Sequence, residues 1–219
     1  MAEIRPTIKE FHGVDWKKAS LEQIIDFARA NYDNAHTEVG MIRDECRVIW
    51  ESLEYWQEQH PGQKITIVET GGGYYTSGRM FMIWVLRNGG TYYSIEIKNR
   101  KENIKELEEA GVWKYANFVQ GDAQKIFWDI PIDFLLIDSE HAIVNAVGEY
   151  MKYRIWLKPN PLILFHDSRL PFIVKSIEII RSMDVLPLKF ESDASKGGFG
   201  LASYERLWKQ ELGKYKGQK

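Results

Sequence analysis

Three features of the sequence predict an α/β fold built on a doubly wound, mostly parallel sheet. Strand and helix patterns alternate from Lys64 onward. The first strand pattern, Ile65-Thr66-Ile67-Val68-Glu69-Thr70, runs directly into Gly71-Gly72-Gly73 and then into an apolar helical pattern. An acid stands at or just past the end of strand after strand. Seven strands are expected, the last antiparallel, behind an N-terminal helical extension. The expected division is an extension over residues 1–60 and a ligand-binding domain over 61–219.

Residues 1–20, with Pro6, Gly13 and scattered charge, read as a loosely ordered lead. Ser20 is the expected N-cap of a first helix, with Gln23 as its capping-box partner and Leu21, Ile24, Ile25 and Ala28 at helical spacing. Asn31 to His36 breaks that pattern. A second helix is expected from about Val39 to Gln59, with Ile42, Cys46, Ile49, Trp50, Leu53 and Trp56 on one face, and His60-Pro61-Gly62 stops it. That face requires burial, against the sheet layer or against a second subunit of a homo-oligomer.

The glycine turn after the first strand leads into a helix carrying Met80, Ile83, Trp84 and Leu86. Asn88-Gly89-Gly90 turns the chain into a second strand over Thr91–Ile97, and a polar helix follows from about Asn99 to Ala110. The third strand is expected at Ala116–Val119, before Gly121-Asp122-Ala123. The fourth spans Ile132–Asp138 and ends in Ser139-Glu140-His141, and its helix carries Ile143, Ala146, Val147 and Tyr150. Leu162–Phe165 forms the fifth strand, and a helix is expected from Leu170 to Ser182. Val185–Phe190 and Phe199–Tyr204 are close enough in sequence to pair as a hairpin, which makes the sheet's final strand antiparallel.

The totals narrow the function classes. Hydrophobic residues make up 44% and charged residues 27% of the 219-residue chain, the balance of a folded globular protein. A net charge of −2 supplies no overall attraction for nucleic acid. The single cysteine, Cys46, excludes an intramolecular disulfide framework and a cysteine-based metal site. No run of about 18 apolar residues suggests a membrane span, and a cytoplasmic location is expected.

All carboxyl ends of a parallel sheet face one crevice, so acids gathered there repel each other unless ligands or cations neutralise them. Glu69, Glu96, Asp122, Asp138 and Asp167 occupy such positions. Glu96 follows Gly73 at the distance expected for an acid that accepts hydrogen bonds from ribose hydroxyls. Asp122 reads equally as an acceptor for an adenine amino group or as a turn aspartate. Strand alternation turns His166 to the face opposite Asp167, and His12, His36 and His60 read as solvated. Tyr74, Tyr75 and Trp84 read as core or pocket wall.

The run Glu69-Thr70-Gly71-Gly72-Gly73 has the E-x-G-x-G form that resembles the first motif of class I S-adenosylmethionine-dependent methyltransferases. Thr76 stands where a G-x-G-x-x-G dinucleotide fingerprint has its third glycine. Ile132 to His141 resembles the D-x-x-x-I-D-x-x-H stretch of the subfamily related to catechol and caffeoyl-CoA O-methyltransferases. Leu157-Lys158-Pro159-Asn160-Pro161 with Leu162 to Asp167 resembles that subfamily's L-x-P-G-G…hD segment, and Gly198-Phe199-Gly200-Leu201 its last strand. The resemblance covers most of residues 64–204 and implies a Rossmann-like methyltransferase fold. It further implies that Glu69, Gly71 and Gly73 bound the S-adenosylmethionine site, that Glu96 takes the ribose, and that Asp122 and Ala123 face the adenine.

In the metal-dependent relatives two strand-end aspartates and an asparagine hold a divalent cation. Asp138 and Asp167 match, and Ser168 replaces the asparagine. A lysine three residues past the first aspartate is the usual base there; this chain has His141. The resemblance therefore implies Mg²⁺ or Mn²⁺ on Asp138 and Asp167, with His141 as base, as a further ligand or as a packed structural residue. The expected activity is methyl transfer to oxygen of a small-molecule acceptor, with Asp138 and His141 as catalytic residues. The alternatives are an NAD-dependent oxidoreductase, which Glu96 also suits, and a non-catalytic nucleotide- or donor-binding protein.

Overall fold

Runs rich in β-branched and aromatic residues form the strands, because such side chains pack well on a pleated surface covered by helices. The computed structural model describes residues 6–30, 41–73, 75–98 and 101–207. Its strands are β1 (Thr66–Thr70), β2 (Thr91–Glu96), β3 (Ala116–Gln120), β4 (Ile132–Ile137), β5 (Leu157–His166), β6 (Leu188–Glu191) and β7 (Leu201–Glu205). They form a seven-stranded sheet in the order β3-β2-β1-β4-β5-β7-β6. β1 to β5 pair in parallel, and β7 lies antiparallel between β5 and β6. The order reverses between β1 and β4, which is where an open sheet of this kind leaves a crevice beyond its carboxyl ends.

The helices are α1 (Leu21–Ala28), α2 (Arg43–Gln59), α3 (Thr76–Asn88), α4 (Lys101–Glu109), α5 (Ile143–Tyr153) and α6 (Pro171–Met183). The Ser20 hydroxyl accepts from Gln23 N, and the Gln23 side chain accepts from Ser20 N, so the expected capping box starts α1. α2 begins at Arg43 rather than Val39; the expected break at Asn31–His36, His36 itself and Tyr74 lie outside the described residues.

Alternate residues of the strands feed two cores. Ile67, Phe134 and Leu136 pack with side chains of α1, α2, α3 and α4. Val68, Leu135 and Ile137 pack with α5 and α6. The first core also takes in Ile8, Phe11 and Trp16, so residues 8–16 are not a loose lead. Aromatic packing explains the difference: the Trp16 and Phe27 rings are 4.4 Å apart, and Trp16 Nε1 donates to the Ala110 carbonyl at 3.0 Å. Tyr75 and Trp84 are core, as is Cys46, whose burial pushes the thiol pKa up to about 12. His60 is not simply solvated, since its ring stacks on Trp56 with centroids 4.6 Å apart.

β5 starts five residues earlier than its apolar run suggests, because Lys158–Pro161 form an irregularity within it. Ile132 pairs with Leu157, while Phe134 pairs with Leu162. Asn160 sits there at φ +53°, a left-handed conformation that asparagine tolerates and that accounts for glycine in the related motif. Asp133 pins this end of the sheet, accepting from Thr66 N at 2.8 Å and from Lys158 Nζ at 2.7 Å.

Candidate active site

The turn after β1 lies against the segment that leaves β4. Gly71 has φ +80°, and a Cβ there would overlap the carbonyl of Asp138, so only glycine lets the two loops meet. Asp138 N donates to Thr70 O at 3.0 Å, which holds that junction together. At the end of β2, Glu96 Oε2 accepts from Gly73 N and Oε1 from Lys98 N, both at 2.9 Å. The carboxylate is thereby fixed against the glycine turn.

Glu69 lies beneath this turn, fully buried. The hydroxyls of Ser77 and Tyr92 donate to it, and burial raises its pKa to about 7 despite them. It supports the turn and lines no part of the cavity described below. Past β3, Asp122 accepts from Gln124 N at 2.9 Å and pairs with Lys125 at 2.7 Å, and that pairing holds its pKa low. Ala123 is buried in the second core, and its carbonyl accepts from the Tyr153 hydroxyl at 2.8 Å.

Asp138 follows β4, His141 precedes α5, and Asp167 follows β5. One ligand atom from each lies within 4.8 Å of the others. His141 Nε2 is 2.5 Å from Asp167 Oδ2, and its ring is 46% exposed while Asp167 is buried. Burial raises the pKa of Asp167; the imidazoles of His166 and His141 oppose the rise, and Asp138 and Glu45 add to it.

His166 departs from the expectation of strand alternation. Asp167 adopts φ +53°, so the chain leaves the β conformation and both side chains turn toward the same cluster. His166 Nδ1 is 2.7 Å from Asp138 Oδ1, and Nε2 is 3.6 Å from Glu45 Oε2. Burial would lower the imidazole pKa, but Asp138, Glu45 and Asp167 hold it well above its usual value. Glu45, in the first turn of α2, accepts from Ile42 N at 2.9 Å and Gly200 N at 2.8 Å. Burial raises its pKa, yet His166 and these N–H groups leave it below the usual range. No sequence signal places Glu45 at the site, since Gly200 and His166, the partners that bring it there, are far away in the chain.

A cavity of about 510 Å³ opens over these groups. Its wall runs from Gly71–Gly73 through Asp138, His141 and Asp167 to Leu170 and Phe199. Phe199 is 62% exposed at the cavity's edge. The donor set fits a divalent cation: two carboxylates and an imidazole converge, and the buried Asp167 Oδ1 has no hydrogen-bond partner. The bare glycine turn beside the fixed Glu96 carboxylate fits a donor that approaches the backbone closely and presents hydroxyls.

A seven-stranded sheet in this order, mostly parallel and alternating with helices, is a Rossmann-like methyltransferase fold. Residues 68–168 match the family model described as a methyltransferase domain. That match supports an S-adenosylmethionine-dependent methyltransferase over the nicotinamide alternative. Solved structures share the fold. A caffeoyl-CoA O-methyltransferase candidate from Staphylococcus aureus superposes with TM-score 0.60 at 15% identity, over 87% of this chain and 93% of that one. An O-methyltransferase candidate from Klebsiella pneumoniae gives 0.58 at 16% identity, over 92% and 94%. The O-methyltransferase TomG from Streptomyces achromogenes, solved with S-adenosylmethionine, gives 0.56 at 15% identity, over 86% and 89%. No curated protein matches the sequence. Among the described residues no helix is long and apolar enough to cross a membrane.

Proposed function

We propose that this chain methylates a hydroxyl oxygen of a small molecule, using S-adenosylmethionine and a divalent cation held by Asp138 and Asp167. The observation that carries the reading is the convergence of Asp138, His141 and Asp167 on one wall of a cavity that begins at the glycine turn. Methyl transfer is an in-line displacement: the sulfur–methyl bond breaks as the oxygen–methyl bond forms, and the acceptor loses a proton. The chain's task is to align the two and receive that proton. Glu96 takes the donor's ribose hydroxyls, and Gly71–Gly73 admit the donor to the backbone. The cavity's size suits a small acceptor, and the shared fold of proteins described as O-methyltransferases supports oxygen as the methylated atom.

His141 receives the proton. Its exposed ring reaches the cavity, and Asp167 orients it through Nε2. A divalent cation on Asp138 and Asp167 would lower the pKa of a hydroxyl placed against it. Asp138 and the buried Asp167 would hold the cation, and carboxylate oxygens suit Mg²⁺ or Mn²⁺.

The test combines binding and turnover. Mn²⁺ titration followed by electron paramagnetic resonance is expected to show one site, lost in Asp138→Ala and Asp167→Ala, with calorimetric donor affinity retained. With a hydroxylated acceptor found by screening, His141→Ala is expected to slow methyl transfer by about 10²–10⁴-fold. Turnover that survives exhaustive chelation would remove the cation from the reading.

A further inference from the structure

We infer that Glu45 and His166 are positioning residues that hold Asp138 in its cation-binding orientation, so that α2 completes the active site. The inference rests on the cation reading above and adds to it two residues outside the converging group of Asp138, His141 and Asp167.

The geometry is a chain of three groups. Glu45 is 1% exposed and is anchored from two sides by Ile42 N and Gly200 N. Its Oε2 lies 3.6 Å from His166 Nε2, and the opposite ring nitrogen, Nδ1, lies 2.7 Å from Asp138 Oδ1. A carboxylate on a loop after a strand otherwise rotates about its side-chain bonds. With one oxygen engaged by a buried ring, and that ring backed by a buried carboxylate, the rotation is stopped. His166 is only 8% exposed and forms part of the cavity's inner wall, behind Asp138. Groups that hydrogen-bond a metal's ligands commonly set the affinity by about 10–100-fold.

The same acid ties a second element to the site. A Cβ on Gly198 would press on Glu45 Oε1, and the neighbouring Asp44 accepts from Asp193 N at 2.6 Å and Lys196 Nζ at 2.7 Å. Consecutive acids of α2 thus grip both ends of the loop that carries Phe199. Removing α2 would release Asp138 and this loop together.

Mn²⁺ titration of wild type, His166→Leu, His166→Asn and Glu45→Gln tests the inference, with S-adenosylhomocysteine affinity and thermal melting measured on each. His166→Leu removes the donor to Asp138 and is expected to weaken Mn²⁺ about 10–100-fold while S-adenosylhomocysteine affinity is kept. His166→Asn places an amide nitrogen where Nδ1 was and is expected to stay within about threefold of wild type, since the ligand-orienting bond survives. Glu45→Gln, which keeps an acceptor for Gly200 N but loses the charge behind the ring, is expected to fall between. If His166→Leu does not fold, His166→Gln replaces it, because its nitrogen reaches the Nε2 position and not Nδ1. Mn²⁺ affinity unchanged in the Leu or Gln variant, or lowered equally in Asn, would overturn the positioning role. Wild type that binds no Mn²⁺ would overturn the cation reading itself, and this inference with it.

Discussion

Arg79 offers the sharpest test of how the N-terminal helices are held. It stands on α3, is 2% exposed, and its Nη1 reaches the carbonyls of Phe27, Ala28 and Ala30 at 2.8, 3.0 and 2.8 Å. Those carbonyls close the C-terminal turn of α1, where the helix has run out of its own donors and the macrodipole favours a cation. The guanidinium also lies over the Phe27 ring at 5.5 Å. Arg79→Met keeps much of the volume but leaves the carbonyls without this donor. Removing one partner of such a buried charged network costs about 3–5 kcal/mol. For a domain of this size each kcal/mol moves the melting temperature by about 2–4 °C, so a fall of about 6–20 °C is expected. Thermal unfolding followed by near-ultraviolet circular dichroism, which reads the tryptophans of the first core, measures it. Arg79→Lys, which keeps a charge and three donors, is expected to lose less. A fall under about 2 °C for Arg79→Met would refute the claim that this guanidinium ties the end of α1 to α3.

Two further outcomes follow from buried acids. Glu96→Ala removes the charged acceptor beside the glycine turn and is expected to weaken S-adenosylmethionine binding by about 1.5–3 kcal/mol in calorimetry; unchanged affinity would misplace the ribose. Glu69 has a folded-state pKa of about 7 against an ordinary 4.5, so the native state binds the extra proton between those values. Its contribution to stability is full below about pH 4.5 and is lost as the pH rises through about 7, a change of about 3 kcal/mol. Denaturant titrations at pH 5 and pH 8 are expected to show this loss in wild type and its absence in Glu69→Gln; parallel profiles would contradict it.

The sheet, the turn and the strand-end acids were legible because they are written locally. Alternation of β-branched runs with helical periodicity gives β1 to β7 and α1 to α6 in order, and three glycines after a strand mark the switch point. Asp138 and Asp167 were legible as candidates because each ends or follows a strand pattern, and all parallel strands deliver their carboxyl ends to one side, whereas His141 stood out only through the motif resemblance. Residues 8–16 were misread because Ile8, Phe11 and Trp16 carry no period; only the aromatic cluster with Phe27 orders them.

The local chemistry of the chain by itself determined the fold class, the glycine turn and which acids end strands. Tertiary structure alone decided which acids serve as supports and which line the cavity. Glu69 and Glu96 both end strands, yet one is sealed beneath the turn by Ser77 and Tyr92 while the other is held at its edge by Gly73 and Lys98. His166 followed no periodic rule, because a single left-handed residue, Asp167, ends the alternation on which the rule depends. Glu45 meets Gly200 across 155 residues, and contacts of that separation depend on how α2 packs over the sheet, which no local pattern encodes.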